Sequence, residues 1–239
     1  MLRHTALAGA TALALMATAA PAATAETPGA AGTKLTVKAK VTPNKAGTRK
    51  NPRAVKLRVR AAWKHPSGVE RPVVSKAEAW FPRGSLYNGK RFPRCAKRTM
   101  NQQGTDGCPK RSIMGRAGGL AFADDIRTKP EIVIVNGGPK LAWFYTTLYR
   151  PALVREPVAV RIKRMRGRWA YKATIRVPRV LQVVAGVPVA LARFNAVAGR
   201  GNWLATTGCP KSRRWRFKVR THFMGGGSAQ HASSVRCRR

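Results

Sequence analysis

Acidic residues are what this chain most lacks. Eight Asp and Glu stand against 47 Lys and Arg in 239 residues, a formal net charge of +39. So few carboxylates argue against enzyme classes that share many acids among catalytic roles. Asp124-Asp125 is the one adjacent acid pair. In a strand its side chains point to opposite faces, which suits neither a catalytic dyad nor a glycosidase pair. It reads as a polar strand end before Pro130, and calcium at Asp124, Asp125 and Glu131 is opposed by the surrounding cations. The chain has no G-x-S-x-G elbow, no H-E-x-x-H and no phosphate-binding glycine loop. It also lacks C-x-x-C, and His222 and His231 are poorly spaced for zinc, so neither a metal nor a cofactor is expected. Past the amino terminus no apolar run is long enough to serve as a transmembrane anchor.

What is present begins with an export signal. Arg3 precedes an Ala/Leu-rich stretch from Ala6 to Ala20, and Ala23-Thr24-Ala25 offers a small-x-small cleavage site. Residues 1–25 therefore read as a signal peptide, 26–33 as a short flexible linker, and 34–239 as a single domain, with two subdomains meeting near residue 130 as the other arrangement. The expected destination is secreted or extracytoplasmic, with association to the cell envelope through non-covalent contacts. Four cysteines, Cys95, Cys108, Cys209 and Cys237, follow the signal, and an even number in an oxidising compartment points to two disulfides. Three connectivities exist. The pairing Cys95–Cys108 and Cys209–Cys237 closes the shortest loops and is preferred, each bridge being worth roughly 3–4 kcal/mol in the chain-entropy account.

Hydrophobic residues make up 44%, enough to build a core. They recur with period 2. Leu35, Val37, Ala39 and Val41 alternate with Lys or Thr, and Val55, Leu57, Val59, Ala61 and Trp63 repeat the pattern. Trp169 to Val177 and Trp215 to Thr221 do the same, while Glu131 to Val135 is almost continuously apolar and fits a strand covered on both sides. Turn residues separate these runs at Pro66-Ser67-Gly68, Asn88-Gly89, Met165 to Arg168, Asn136 to Pro139 and Gly225 to Ser228. No stretch carries a helical stripe. The expected fold is all-β, an antiparallel β-sandwich stapled by two disulfides, with the six Trp residues mostly on inward phases.

Two segments resemble a pattern in secreted proteins of high-GC actinobacteria. They are Phe81-Pro82-Arg83-Gly84 through Phe92-Pro93-Arg94-Cys95 to Gly107-Cys108-Pro109, and Thr206-Thr207-Gly208-Cys209-Pro210 through Ser234-Val235-Arg236-Cys237. The resemblance implies export and a disulfide-stapled fold and transfers no catalytic residue. Thr206 to Cys209, followed by Arg213, is also faintly similar to a sortase active-site strand. That likeness implies a Cys/His transpeptidase with His65, His222 or His231 as base. Four cysteines leave no odd thiol, and Pro210 departs from the pattern.

The cations fall on the water-facing phases of the alternating runs. Lys56, Arg58 and Arg60 lie on one, Arg161 and Lys163 on a second, and Arg214, Arg216, Lys218 and Arg220 on a third. Were two such strands neighbours, their outer face would be a basic ladder, whose mutual repulsion an anionic polymer laid across it relieves. These nine residues are the candidate site. Teichoic-type polymers, anionic lipid headgroups and extracellular DNA are the candidate partners, held by salt-sensitive contacts without sequence-specific recognition of nucleic acid. The competing expectations are a structural secreted protein with no defined ligand and the Cys/His enzyme.

Overall fold

The computed structural model describes residues 32–239, so the signal and most of the linker lie outside the described residues. The alternating runs form strands. In chain order these are β1 (Lys34–Thr42), β2 (Arg53–Ala54), β3 (Lys56–Lys64), β4 (Val74–Pro82) and β5 (Ser85–Tyr87). After helix α1 (Lys97–Gln103) follow β6 (Ile113–Ala123), β7 (Ile126–Thr128), β8 (Glu131–Gly138), β9 (Leu141–Leu148), β10 (Val154–Arg164) and β11 (Trp169–Arg176). A four-residue turn of helix, α2 (Arg179–Gln182), then leads to β12 (Val183–Val184), β13 (Val187–Ala198), β14 (Leu204–Thr206), β15 (Arg214–Phe223) and β16 (Ser228–Arg236).

Eleven strands run antiparallel in the order β1-β3-β13-β6-β8-β9-β10-β11-β4-β15-β16, while β2, β14 and β5 form a separate small sheet. Early and late strands pair at two places in the large sheet, β3 with β13 and β4 with β15, around the run β6 to β11. An odd number of antiparallel neighbours leaves β1 and β16 pointing the same way, so any contact that closes the sheet must be parallel. Just beyond their ends it is: Lys45 and Arg238 form a parallel bridge. There the Ala46 N–H donates to the Arg238 carbonyl and the Arg238 N–H to that of Asn44, both at 2.8 Å. The antiparallel sandwich expected from the alternation is thus one curled, nearly closed sheet. Its inner side chains meet across the core, where Ala173 of β11 and Ala196 of β13 share a cluster with Met114, Ile134 and Val160.

Both disulfides have the preferred pairing, Cys95–Cys108 and Cys209–Cys237. The second anchors the loop before β15 to the residue after β16, where the Cys237 N–H also donates to the Arg213 carbonyl at 2.8 Å. The first brackets α1, which no apolar stripe announced because only Met100 of its seven residues is buried. Met100 packs with Val135 and Tyr145 on the outer side of β8 and β9. This accounts for the apolar run at Glu131 to Val135: Ile132 and Ile134 line the interior, while Val135 lies under the stapled helix.

Asn88-Gly89 opens a turn as expected, with the Arg91 N–H donating to the Asn88 carbonyl at 2.9 Å, and Asn136 lies at the end of β8 before the turn at Pro139, but both asparagines also bond to distant segments. Asn136 is fully buried. Its Nδ2 lies 3.0–3.1 Å from the carbonyls of Gly89, Phe92 and Pro93. Its Oδ1 accepts from Trp203 Nε1 at 3.0 Å and lies 3.3 Å from the Tyr87 hydroxyl, which donates to the Leu141 carbonyl at 2.7 Å. One amide therefore gathers the segments after β5 and before β14 onto the end of β8. Asn88 donates from Nδ2 to the Asn202 carbonyl at 2.6 Å, within the same cap. A Cβ on Gly89 would strike the Gly138 carbonyl and the Tyr87 hydroxyl, so only glycine fits there. Burial pushes the Tyr87 phenol well above its usual range, with the Trp203 contact opposing that rise.

Candidate functional site

The three cationic runs named above are not neighbours. β3 lies between β1 and β13, β10 between β9 and β11, and β15 between β4 and β16. Each meets cations on different partners, and two separate basic faces result.

The first face is the outer side of β1, β3, β13 and β6. Lys34 stands opposite Lys64, Lys38 opposite Arg60, and Lys40 opposite Arg58. The next strands add Arg193, opposite Ala62, and Arg116, opposite Val197, which itself faces Arg58. Lys34, Lys38, Lys40, Lys56, Arg58, Arg60, Lys64, Arg116 and Arg193 are all exposed. Among the described residues no carboxylate is ion-paired with any of them, because the salt bridges formed involve Glu78 and Glu156 elsewhere. Like charges directly opposite in an antiparallel pair destabilise it, and here three such pairs occur on two strands. At one end of the face Lys56, Arg116 and Arg200 border a cleft of about 560 Å³ whose floor includes Gly115, Gly199 and Gly201.

The second face crosses β10, β11, β4, β15 and β16. Cross-strand register aligns Lys163, Lys172, Trp80, Lys218 and Ala232 in one row, and Arg161, Thr174, Glu78, Arg220 and Gln230 in the next. Trp80 points outward, against the inward phase expected of the tryptophans, since its neighbours Ala79 and Phe81 pack on the core. The Lys172 and Lys218 ammonium groups lie 4.9 and 5.3 Å from its ring centroid. Trp143 also faces outward, against the α1 segment, whereas Trp215 and Phe217 are buried as their phase requires. Arg214 donates to Ser234 Oγ at 3.2 Å and Arg220 to Gln230 Oε1 at 3.0 Å.

Glu78 is the acid in the middle of this second face. Its carboxylate lies 2.7 Å from Lys172 Nζ, 2.9 Å from Lys76 Nζ and 3.1 Å from His222 Nε2. Burial pushes the carboxyl up, but the contacts from Lys172, Lys76 and His222 outweigh it and hold the group down at about 2. A folded pKa below the unfolded value of 4.5 means the contribution is complete above pH 4.5 and is lost as pH falls toward 2. It amounts to on the order of 3 kcal/mol. Thermal unfolding at pH 6 and pH 2.5 should therefore show a smaller acid loss in Glu78→Gln than in wild type. Equal losses would mean that the cluster contributes nothing to acid sensitivity.

The sequence reading missed Lys34, Lys38 and Lys40 as site members, although β1 carries the same alternation as β3. Arg116 lies among glycines and Arg193 beside a register shift, so neither had a period to betray it. Asp124 and Asp125 are exposed in the turn between β6 and β7, and no group of three or more His, Cys, Asp or Glu able to hold a metal occurs among the described residues. Cys209, the candidate nucleophile of the transpeptidase reading, is oxidised in its bridge to Cys237. No helix among the described residues is long and apolar enough to cross a membrane. Comparison with family models, with curated proteins and with solved structures finds no match to this chain.

Proposed function

We propose that this is an exported, non-catalytic protein that holds anionic polymers of the cell envelope or its surroundings on its basic sheet faces. The carrying observation is the β1–β3 register, which sets Lys38 against Arg60 and Lys40 against Arg58 in the open with no acid between them. Repulsion of that kind is relieved by a ligand bearing closely spaced negative charge. Arginine on the face suits phosphate, which its planar fork contacts through two hydrogen bonds. Teichoic-type polymers, anionic lipid headgroups and extracellular DNA share this chemistry. An extended backbone contacted through its charges alone is bound without regard to sequence. Two disulfides fit an oxidising compartment, in agreement with the amino-terminal signal reading.

The test compares two quadruple variants with equal charge removed. One carries Lys38, Lys40, Arg58 and Arg60 changed to Gln. The other carries Lys90, Arg91, Arg94 and Arg98 changed to Gln, all exposed and off the face. With polyglycerol phosphate and random-sequence duplex DNA as probes, the first variant should bind at least about 100-fold more weakly at low salt. The second should stay within several-fold of wild type. Equal losses in both would leave a cationic surface with no defined site, which is the structural-protein reading.

A further inference from the structure

The interior of the curled sheet holds a cavity of about 350 Å³, walled by inward-facing residues of β3, β4, β9, β10, β11, β13 and β15. Two features keep it open. A closed sheet widens with strand number, and about eight strands already give an interior that side chains just fill. This sheet curls with eleven, and among the described residues only Leu181 of the short α2 turn reaches the lining from a helix. Moreover, eight of the lining residues are alanines, including Ala79, Ala142 and Ala173, so space remains between the walls beside the contacts that bridge them. Some of the larger side chains that project inward, Val59, Phe144, Ile175 and Phe194, stay only partly buried although their strand phase faces the core.

The lining is also dry in character. Thr146 turns its hydroxyl to the Phe144 carbonyl at 3.2 Å, and Thr221 donates to the Ala229 carbonyl at 3.4 Å while accepting from Trp63 Nε1 at 3.1 Å. Water is held in a cavity by two to four polar partners, and these hydroxyls are already engaged. An unfilled apolar space is destabilising in proportion to its volume, so a pocket of this size is more stable with an apolar guest inside.

We propose that this cavity binds the aliphatic chain of a single-chain amphiphile, a straight acyl group. This site is distinct from the β1–β3–β13–β6 face, although Glu78, Trp80 and Lys218 of the second face also border it. An engineered apolar cavity of about 150 Å³ accepts benzene, so by proportion this one takes roughly a dozen chain carbons. Its extended wall, from Phe81 and Tyr171 at one end of the sheet to Trp63 and Val177 at the other, suits a slender chain better than a fused-ring body. Chemistry at the head of the amphiphile is supplied outside the cavity, where the β10–β11 hairpin exposes Arg164, Arg166 and Arg168 beside the Tyr171 end.

Dodecanoate and dodecanol are the probes, measured by equilibrium dialysis in about 0.5 M salt, which screens the surface charges. One saturable site per chain is expected for both, with dodecanoate the tighter. Ala173→Phe should weaken both at least tenfold while leaving DNA binding at low salt unchanged. A second measurement uses the wild-type protein, so the test does not depend on that variant folding. A dodecanoate brominated near its end should quench the fluorescence of Trp63 in the cavity wall, and Trp63→Phe should remove that part of the quenching. Binding that vanishes in salt, or that survives Ala173→Phe in a folded protein with no quenching of Trp63, overturns the proposal.

Discussion

Asn136→Ala should cost about 4 kcal/mol of folding stability or more, and lower the melting temperature by roughly 8–16 °C at this chain length. The side chain is completely buried; its two amide N–H donors are shared among three backbone carbonyls and its oxygen accepts from one indole N–H. Removing it leaves those groups facing a small void that offers no replacement, and each buried unsatisfied group costs about 1–3 kcal/mol. Asn136→Asp should also be severe, because it keeps the acceptor for Trp203 but sets a buried carboxylate among three carbonyl oxygens. Asn88→Ala is the comparison. It removes a single contact, to Asn202 in the same cap, and should cost about 1 kcal/mol. Circular-dichroism melts of the three variants decide the matter. An Asn136→Ala melt within about 2 °C of wild type would show that the cap is held by something other than this amide.

Asn136 also illustrates what a sequence leaves hidden. It precedes Gly137-Gly138-Pro139, and local turn chemistry explains that position without reference to anything distant. Its true partners, Gly89, Phe92, Pro93 and Trp203, lie more than 40 residues away on either side. By contrast, the alternation in β1, β3, β11 and β15 is a local property, and it was enough to read the fold class. The two disulfides were legible for a similar reason, since short loops close at the least entropic cost. Helix α1 was not, because a seven-residue segment held by a disulfide and one buried Met needs no amphipathic stripe.

The candidate site was half legible. Which phase of each strand faces water follows from period 2, so Lys56, Arg58 and Arg60 were identified correctly as outward. Which strands lie side by side depends on non-local pairing, and no local pattern carries it. The ladder thus forms between β3 and β1, not between any two of the three runs singled out. The cavity inside that core was illegible for a related reason. Alternating apolar residues imply a packed core, but how far apart opposite walls stand is set by strand number and closure. Eight alanines on inward positions then read as tight packing in a narrow sheet and as empty space in a wide one.

The largest effect expected of this protein is in its response to salt. Nine exposed cations share the β1–β3–β13–β6 face, and each that neutralises a phosphate on duplex DNA releases condensed counterions. If six to nine engage, the slope of log affinity against log salt should lie near −5 to −8, and affinity should fall about 10³- to 10⁵-fold between 50 and 200 mM. Changing Lys38, Lys40, Arg58 and Arg60 to Gln should make that slope shallower by about 4. The same four changes remove two like-charge pairs, Lys38 with Arg60 and Lys40 with Arg58, from the ladder. The free protein should then become more stable by about 1 kcal/mol even as binding is lost. Weaker binding with a higher melting point is an unusual combination, and it separates a charge-loaded binding face from a surface whose cations serve solubility alone. A slope near −1, or a variant that binds weakly only because it unfolds, would remove the polymer reading. Anisotropy titrations at four salt concentrations, run beside melts of the same samples, give both quantities.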